Sequence, residues 1–240
     1  MAHRRRALLR HTLLVTGVFS ALAGVSLAAD ASSCPFDLTG AKADRVFFTL
    51  GMLMEHGGRG YAPPGDQLDA FYCNEKGASA VFTRVATALA REQGLPADVR
   101  EETKQGCLSA TYSASLAPGL KACYAPGVAA ERTPRRGVRG LDLALFARSG
   151  ASVAGNTLAP SDVVRRRALA YVAGAWARHR HGQVMALTAG TPKADLLATL
   201  LKALGCANVR VVTALDASPG SNTVHFDPTA EVAEWLARAW

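Results

Sequence analysis

Residues 208 to 229 read NVRVVTALDASPGSNTVHFDPT, and the way they divide decides what sheet the chain can build. Asn208 to Leu215 is a short apolar, β-branched run that suits a strand buried on both faces. Asp216 to Asp227 then reads as a loop of small and polar residues, and Asp227-Pro228 opens a closing helix over Thr229 to Trp240, with Asp227 placed as its N-cap.

Two earlier runs share the texture of the first part: LDLALFA at 141 to 147 and QVMALTA at 183 to 189. Helical stretches separate them, Ser161 to His179 with Ser161 as N-cap, and Lys193 to Leu204 stopped by Gly205. Strand, helix, strand, helix, strand, helix is the signature of a parallel sheet with crossover helices. The expected fold class is therefore α/β, with a small, mainly parallel sheet and flanking helices over residues 141 to 240. Ahead of it stand a helical, cysteine-bearing region at 29 to 125 and a Pro/Gly/Arg-rich linker at 126 to 140.

In the first region, Ala41 to Glu55 carries Val46, Phe47, Leu50, Leu53 and Met54 at helical spacing, and Phe47 and Phe48 read as core. Ala78 to Gln93 is a second helix with Gly94 as its stop. A third starts at Pro96 and continues past Cys107, and no alternating strands are expected in this half.

The chain begins with a basic stretch, a short apolar run from Thr12 to Leu27 and a small-x-small triplet, Ser26-Leu27-Ala28. That layout predicts a signal peptide over residues 1 to 28, a periplasmic or secreted protein, and no transmembrane anchor after cleavage. Arg5-Arg6-Ala7-Leu8-Leu9-Arg10 also fits a twin-arginine export motif, so the export route stays open. Removing residues 1 to 28 takes away four arginines and no acid, leaving 23 basic against 19 acidic residues. The formal charge falls from +8 to +4, so no nucleic-acid partner is expected. The remaining arginines cluster at 132 to 139, at 165 to 167 and at 178 to 180, and such clusters read as solvated faces.

An exported chain favours disulfides. Cys34, Cys73, Cys107 and Cys123 are the candidates, and the most local set is Cys34 with Cys73 and Cys107 with Cys123. Cys206, between a helix and a strand, then reads as a small buried thiol.

If the three strands are parallel, the loops after them open on one edge, where ligands of such sheets gather. The first loop holds Ser149 and Ser152, the second Asp195, and the third Asp216, His225 and Asp227. A serine, a carboxylate and a histidine in that order resemble a reduced α/β-hydrolase over residues 141 to 240. The resemblance implies an exported serine hydrolase acting on a small ester or related acyl bond. Ser152 in GASVAG would be the nucleophile, Asp195 the orienting acid and His225 the base, with Ser149 and Asp216 as alternates. The family's elbow ends in glycine where this chain has Ala154.

Other chemistries fit less well. Gly150 to Thr157 has P-loop spacing, but Asn156 stands where the phosphate-binding lysine belongs. His225 with Asp216 and Asp227 could hold a metal, and His179-Arg180-His181 reads as a basic helix end; neither pattern calls for a cofactor or metal. The alternative to the hydrolase is a non-catalytic interaction module contacting an anionic envelope surface or a protein partner.

Overall fold

The computed structural model describes residues 34–54, 63–104, 108–126, 139–141, 144–147, 160–188, 191–214 and 221–240. The expected signal peptide (1–28), Cys107, residues 127–138 of the expected linker, residues 148–159 with Ser149 and Ser152, and Asp216 lie outside these residues.

Every strand pairing among the described residues is antiparallel, which overturns the expected parallel sheet. In the second half, β6 (Arg180–His181), β7 (Val184–Thr188), β8 (Ala207–Ala214) and β9 (Ser221–Asp227) form one sheet in the order β6-β7-β9-β8. The stretch expected to be a loop is thus its interior strand. Along β9, Asn222, Val224 and Phe226 are buried while Ser221, Thr223 and His225 are half-buried, the period-2 pattern of a strand with one face on a core. β7 and β8 do run in the same direction, joined by the helix Thr191–Ala203, but β9 pairs antiparallel with both and lies between them.

LDLALFA is not a strand either. Only Arg139–Leu141 extends, as β5 paired with β4 (Tyr124–Pro126), so the two ends of the expected linker lie side by side. Ala144–Ala147 then turns as a short helix, α4. Its carbonyls explain why: Arg167, fully buried, donates from Nη1 to the carbonyls of Leu145 (2.9 Å) and Phe146 (3.1 Å) and from Nη2 to that of Leu38 (2.9 Å). A guanidinium supplies the donors the helix end lacks.

The first half also contains strands. β1 (Gln67–Phe71), β2 (Arg100–Lys104) and β3 (Leu108–Tyr112) form a sheet in the order β1-β3-β2, where a helix from Pro96 past Cys107 was expected. The helices α1 (Gly40–Met52) and α2 (Lys76–Glu92) match the sequence reading, and α2 is followed by Gly94 at φ +68°. α3 (Ala117–Ala122) leads to Cys123, which is disulfide-bonded to Cys34. This corrects the local pairing. Cys73 is also disulfide-bonded, to a partner outside the described residues.

One apolar core runs through both halves. Its axis is the crossing of α1 with α5 (Pro160–His179), which bury Val46, Phe47, Phe48 and Leu50 against Ala168, Tyr171 and Ala175. α5 begins at Pro160, so Ser161 sits inside the first turn rather than at the cap. α5 and α6 (Thr191–Ala203) pack against the inner face of the second sheet, and α7 (Ala230–Leu236) packs on α5. Thr229, not Asp227, caps α7, accepting a hydrogen bond from the Val232 amide. No helix among the described residues is long and apolar enough to cross a membrane.

Of the α5 arginines, Arg166 is exposed and Arg165 half-buried, as a solvated face would have them, but each is paired, and Arg167 and Arg178 are buried. Arg165 pairs with Glu231, Arg166 grips Asp44 with two hydrogen bonds of 2.8 and 2.7 Å, and Arg167 is buried as described. Arg178 has a wholly buried side chain. It donates to Asp69 (2.6 Å), Glu75 (3.1 Å) and the carbonyls of Met52 (2.9 Å) and Ala70 (2.7 Å), with its guanidinium 4.2 Å from the Phe71 ring centre.

Lys193 of α6 is buried beside this node and donates to the carbonyls of Gly51 (2.6 Å) and Leu53 (2.5 Å). Two cations from the second half thus cap the C-terminus of α1, where the helix dipole favours positive charge.

His179 is buried too, contrary to its reading as an exposed helix end. Burial, with Lys193 and Arg178 adding like charge, holds its pKa well below the usual 6.5. The imidazole is therefore neutral in the fold and takes up a proton on unfolding. Stability is expected to fall as the pH drops below about 6.5, by up to about 1.4 kcal/mol per pH unit. Urea unfolding of wild type and His179→Leu between neutral and mildly acidic pH checks this: the variant should lose that part of the pH slope.

Candidate binding face of the second sheet

The same alternation that buries Asn222, Val224 and Phe226 sends the neighbouring residues outward. Register then assembles an outer face. His225 lies opposite Arg210 on β8, and Thr223 lies opposite Val212 on β8 and Ala186 on β7. His181 lies opposite Val184, which continues the row of His225 across β6 and β7. The row His181, Val184, His225, Arg210 thus spans all four strands of a face opposite the one that the helices cover.

At one end of this face is a cleft of about 730 Å³, lined by Gln183, Val184, Asn208, Arg210, His225 and Asp227 together with neighbouring Val209, Phe226 and Pro228. Asn208, at φ +52°, makes the bulge that offsets β8 between Ala207 and Arg210, and its side-chain amide donates to the Asp227 carboxylate. That bond ties down the acidic wall of the cleft. Neither Arg210 nor His225 has an ion pair or side-chain hydrogen bond within the described residues, in contrast to the committed arginines of α5. Arg210 is exposed and His225 half-buried. A guanidinium and an imidazole side by side, with the Gln183 amide at the rim, can receive a carboxylate or phosphate group.

The serine-hydrolase residues are not brought together by what is described. Asp195 is exposed on α6, the helix that packs against the inner face, whereas His225 stands on the outer face. No hydrogen bond joins them among the described residues. Asp227 shares the face of His225, two residues along β9, but its carboxylate is engaged by Asn208. Ser149, Ser152 and Asp216 lie outside the described residues.

Cys206 is free and half-buried, and burial pushes its thiol pKa up, which opposes a nucleophilic thiolate. No group of three or more potential metal ligands occurs among the described residues.

Sequence reading missed Arg210 and Gln183, because one arginine within a β-branched run carries no signal of its own. Only the pairing of β8 with β9 sets it beside His225. The alternation of SNTVHFD marks β9 only weakly, because polar Asn222 takes an inward position, and it does not give the register with β8.

No family model matches the chain, and no curated protein shows significant similarity to it.

Proposed function

We propose that the chain is a non-catalytic interaction module that receives an anionic group of a partner in the cleft between β8, β9 and the start of β7. The observation that supports this reading is the juxtaposition of Arg210 and His225, neither with an ion pair or side-chain hydrogen bond among the described residues, on the sheet face away from the packed helices and beside a cleft of about 730 Å³. A carboxylate or phosphate entering there gains charge-assisted hydrogen bonds from Arg210 and further donors from Gln183 and His225. An exported protein with such a face would dock on an anionic envelope component or an acidic segment of another protein.

Two measurements test this. Titrating the isotope-labelled protein with inorganic phosphate, followed by amide chemical shifts, should perturb Gln183, Val184, Asn208 to Arg210 and His225 to Asp227. Arg210→Ala should weaken the response about ten- to a hundredfold, the loss of a hydrogen bond to a charged group. A fluorophosphonate probe should leave the folded protein unlabelled. Labelling that disappears in Ser152→Ala or Ser149→Ala would restore the hydrolase. Shifts scattered over the surface and indifferent to Arg210 would remove the cleft from consideration.

A further inference from the structure

The two main sheets end in edge strands of opposite character. β2, at the edge of the first sheet, reads REETK: four of its five residues are charged and all five are exposed. Charged edge strands of this kind resist pairing with another chain. β8, at the edge of the second sheet, reads ANVRVVTA over eight residues, with Arg210 as its one charge. Its residues are exposed or half-buried, and Val212, at 47% exposure, is one of two large hydrophobic side chains exposed among the described residues. Its guards are Arg210 and the bulge at Asn208, both near its start, and neither reaches Val211 to Ala214.

We infer that β8 is the seam of a homodimer, in which two copies pair their β8 strands antiparallel about a twofold axis at Val212. The register follows from the bulge. Arg210 to Ala214 pairs with β9 without interruption, and the middle of that regular segment is Val212. A symmetric antiparallel pairing that uses all five residues sets Val212 against its own mate and Arg210 against Ala214 of the other copy.

Charge agrees with this register. A pairing centred on Arg210 would oppose two guanidiniums directly, whereas the Val212 register moves each beside a methyl group. On the inner side, Val211 of each copy meets Thr213 of the other, so the alternation of the two strands stays in phase. The result is one continuous eight-stranded sheet in which both Arg210–His225 pairs open on the same face.

Sedimentation of the full chain at about 100 µM tests the dimer, since a dissociation constant of micromolar order populates it there. Wild type should sediment as a dimer. Val212→Lys, checked by circular dichroism for an unchanged fold, should sediment as a monomer because two ammonium groups then meet on the axis.

Register is read by crosslinking in a Cys206→Ser background. Val212→Cys should oxidise to a disulfide-linked dimer, as opposed residues in an antiparallel pair lie about 4.5 to 5.5 Å apart at Cα. Ala214→Cys should not, because its own mate is four residues out of register, roughly 14 Å away. A monomeric wild type overturns the proposal. So does a dimer that Val212→Lys leaves intact, or one that Ala214→Cys crosslinks and Val212→Cys does not.

Discussion

Arg178→Ala is expected to lower stability by about 3 to 5 kcal/mol, the cost of stripping the partner from a buried ion pair. The guanidinium is wholly buried and uses its fork on four acceptors, two carboxylates and two carbonyls. Without it, Asp69 remains buried and keeps, among the described residues, the amides of Met54 and Ala70, each at 2.7 Å. Two peptide hydrogen bonds do not replace a cation in a site closed to water, and the Met52 and Ala70 carbonyls lose their donor as well.

Arg178→Lys should recover little, because an ammonium is a point donor and cannot span Asp69, Glu75 and both carbonyls at once. The midpoint of urea unfolding reads both variants. A loss below about 1 kcal/mol for Arg178→Ala would mean the node contributes little. With total stabilities of about 5 to 15 kcal/mol for native domains, the larger loss consumes a substantial fraction.

Gly174→Ala is expected to destabilise by about 3 kcal/mol and to lower Tm by about 6 to 12 °C. Intrinsic propensity argues the other way, since alanine in a helix interior is favoured over glycine by about 1 kcal/mol. Packing decides the sign. A Cβ on Gly174 of α5 would stand 2.0 Å from the Phe48 carbonyl oxygen of α1, and one on Gly51 of α1 would stand 2.1 Å from the Tyr171 carbonyl oxygen of α5.

Each glycine therefore receives the backbone of the opposite helix, one turn from the residue whose carbonyl receives the other. No side-chain rotation relieves such a contact, so the helices must separate along a crossing that organises the whole core. Gly51→Ala should behave alike, and the double variant should cost less than the sum of the two, because one separation accommodates both methyl groups. Calorimetric melting of the three variants provides the check. A stabilised Gly174→Ala would show that the helices do not touch.

Local signals carried the helices and two of the strands. The apolar spacing of α1, α2 and α6, and the stops at Gly94 and Gly205, were legible because they depend on residues within a few turns of one another. QVMALTA and NVRVVTAL were legible as strands for the same reason. Their arrangement was not. β9 carries Asn222 at an inward position, where Thr213 Oγ1 donates to its side-chain oxygen at 2.8 Å, so a partnered polar residue broke the apolar pattern and hid the strand.

β2 escaped notice because charge suits a helix surface and an edge strand equally. The arginines of α5 looked like surface because their acceptors lie far away in sequence: Asp44 is 122 residues from Arg166 and Asp69 is 109 from Arg178. The candidate site was half legible. His225 was singled out, but as a loop base paired with Asp195; the residue beside it is Arg210, placed there by a register that no local pattern encodes.

The ring of donors around the C-terminus of α1 bears on the order in which the protein can mature. Synthesis delivers Gly51, Met52, Leu53 and Asp69 more than a hundred residues before Arg178 and Lys193, the groups that neutralise and cap them. Until those residues arrive, Asp69 has the amides of Met54 and Ala70 but no cation, and the carbonyls of Gly51, Met52 and Leu53 lack these donors. Long-range closure of this kind is slow compared with helix formation. Closure of this part of the core therefore waits for the last third of the chain.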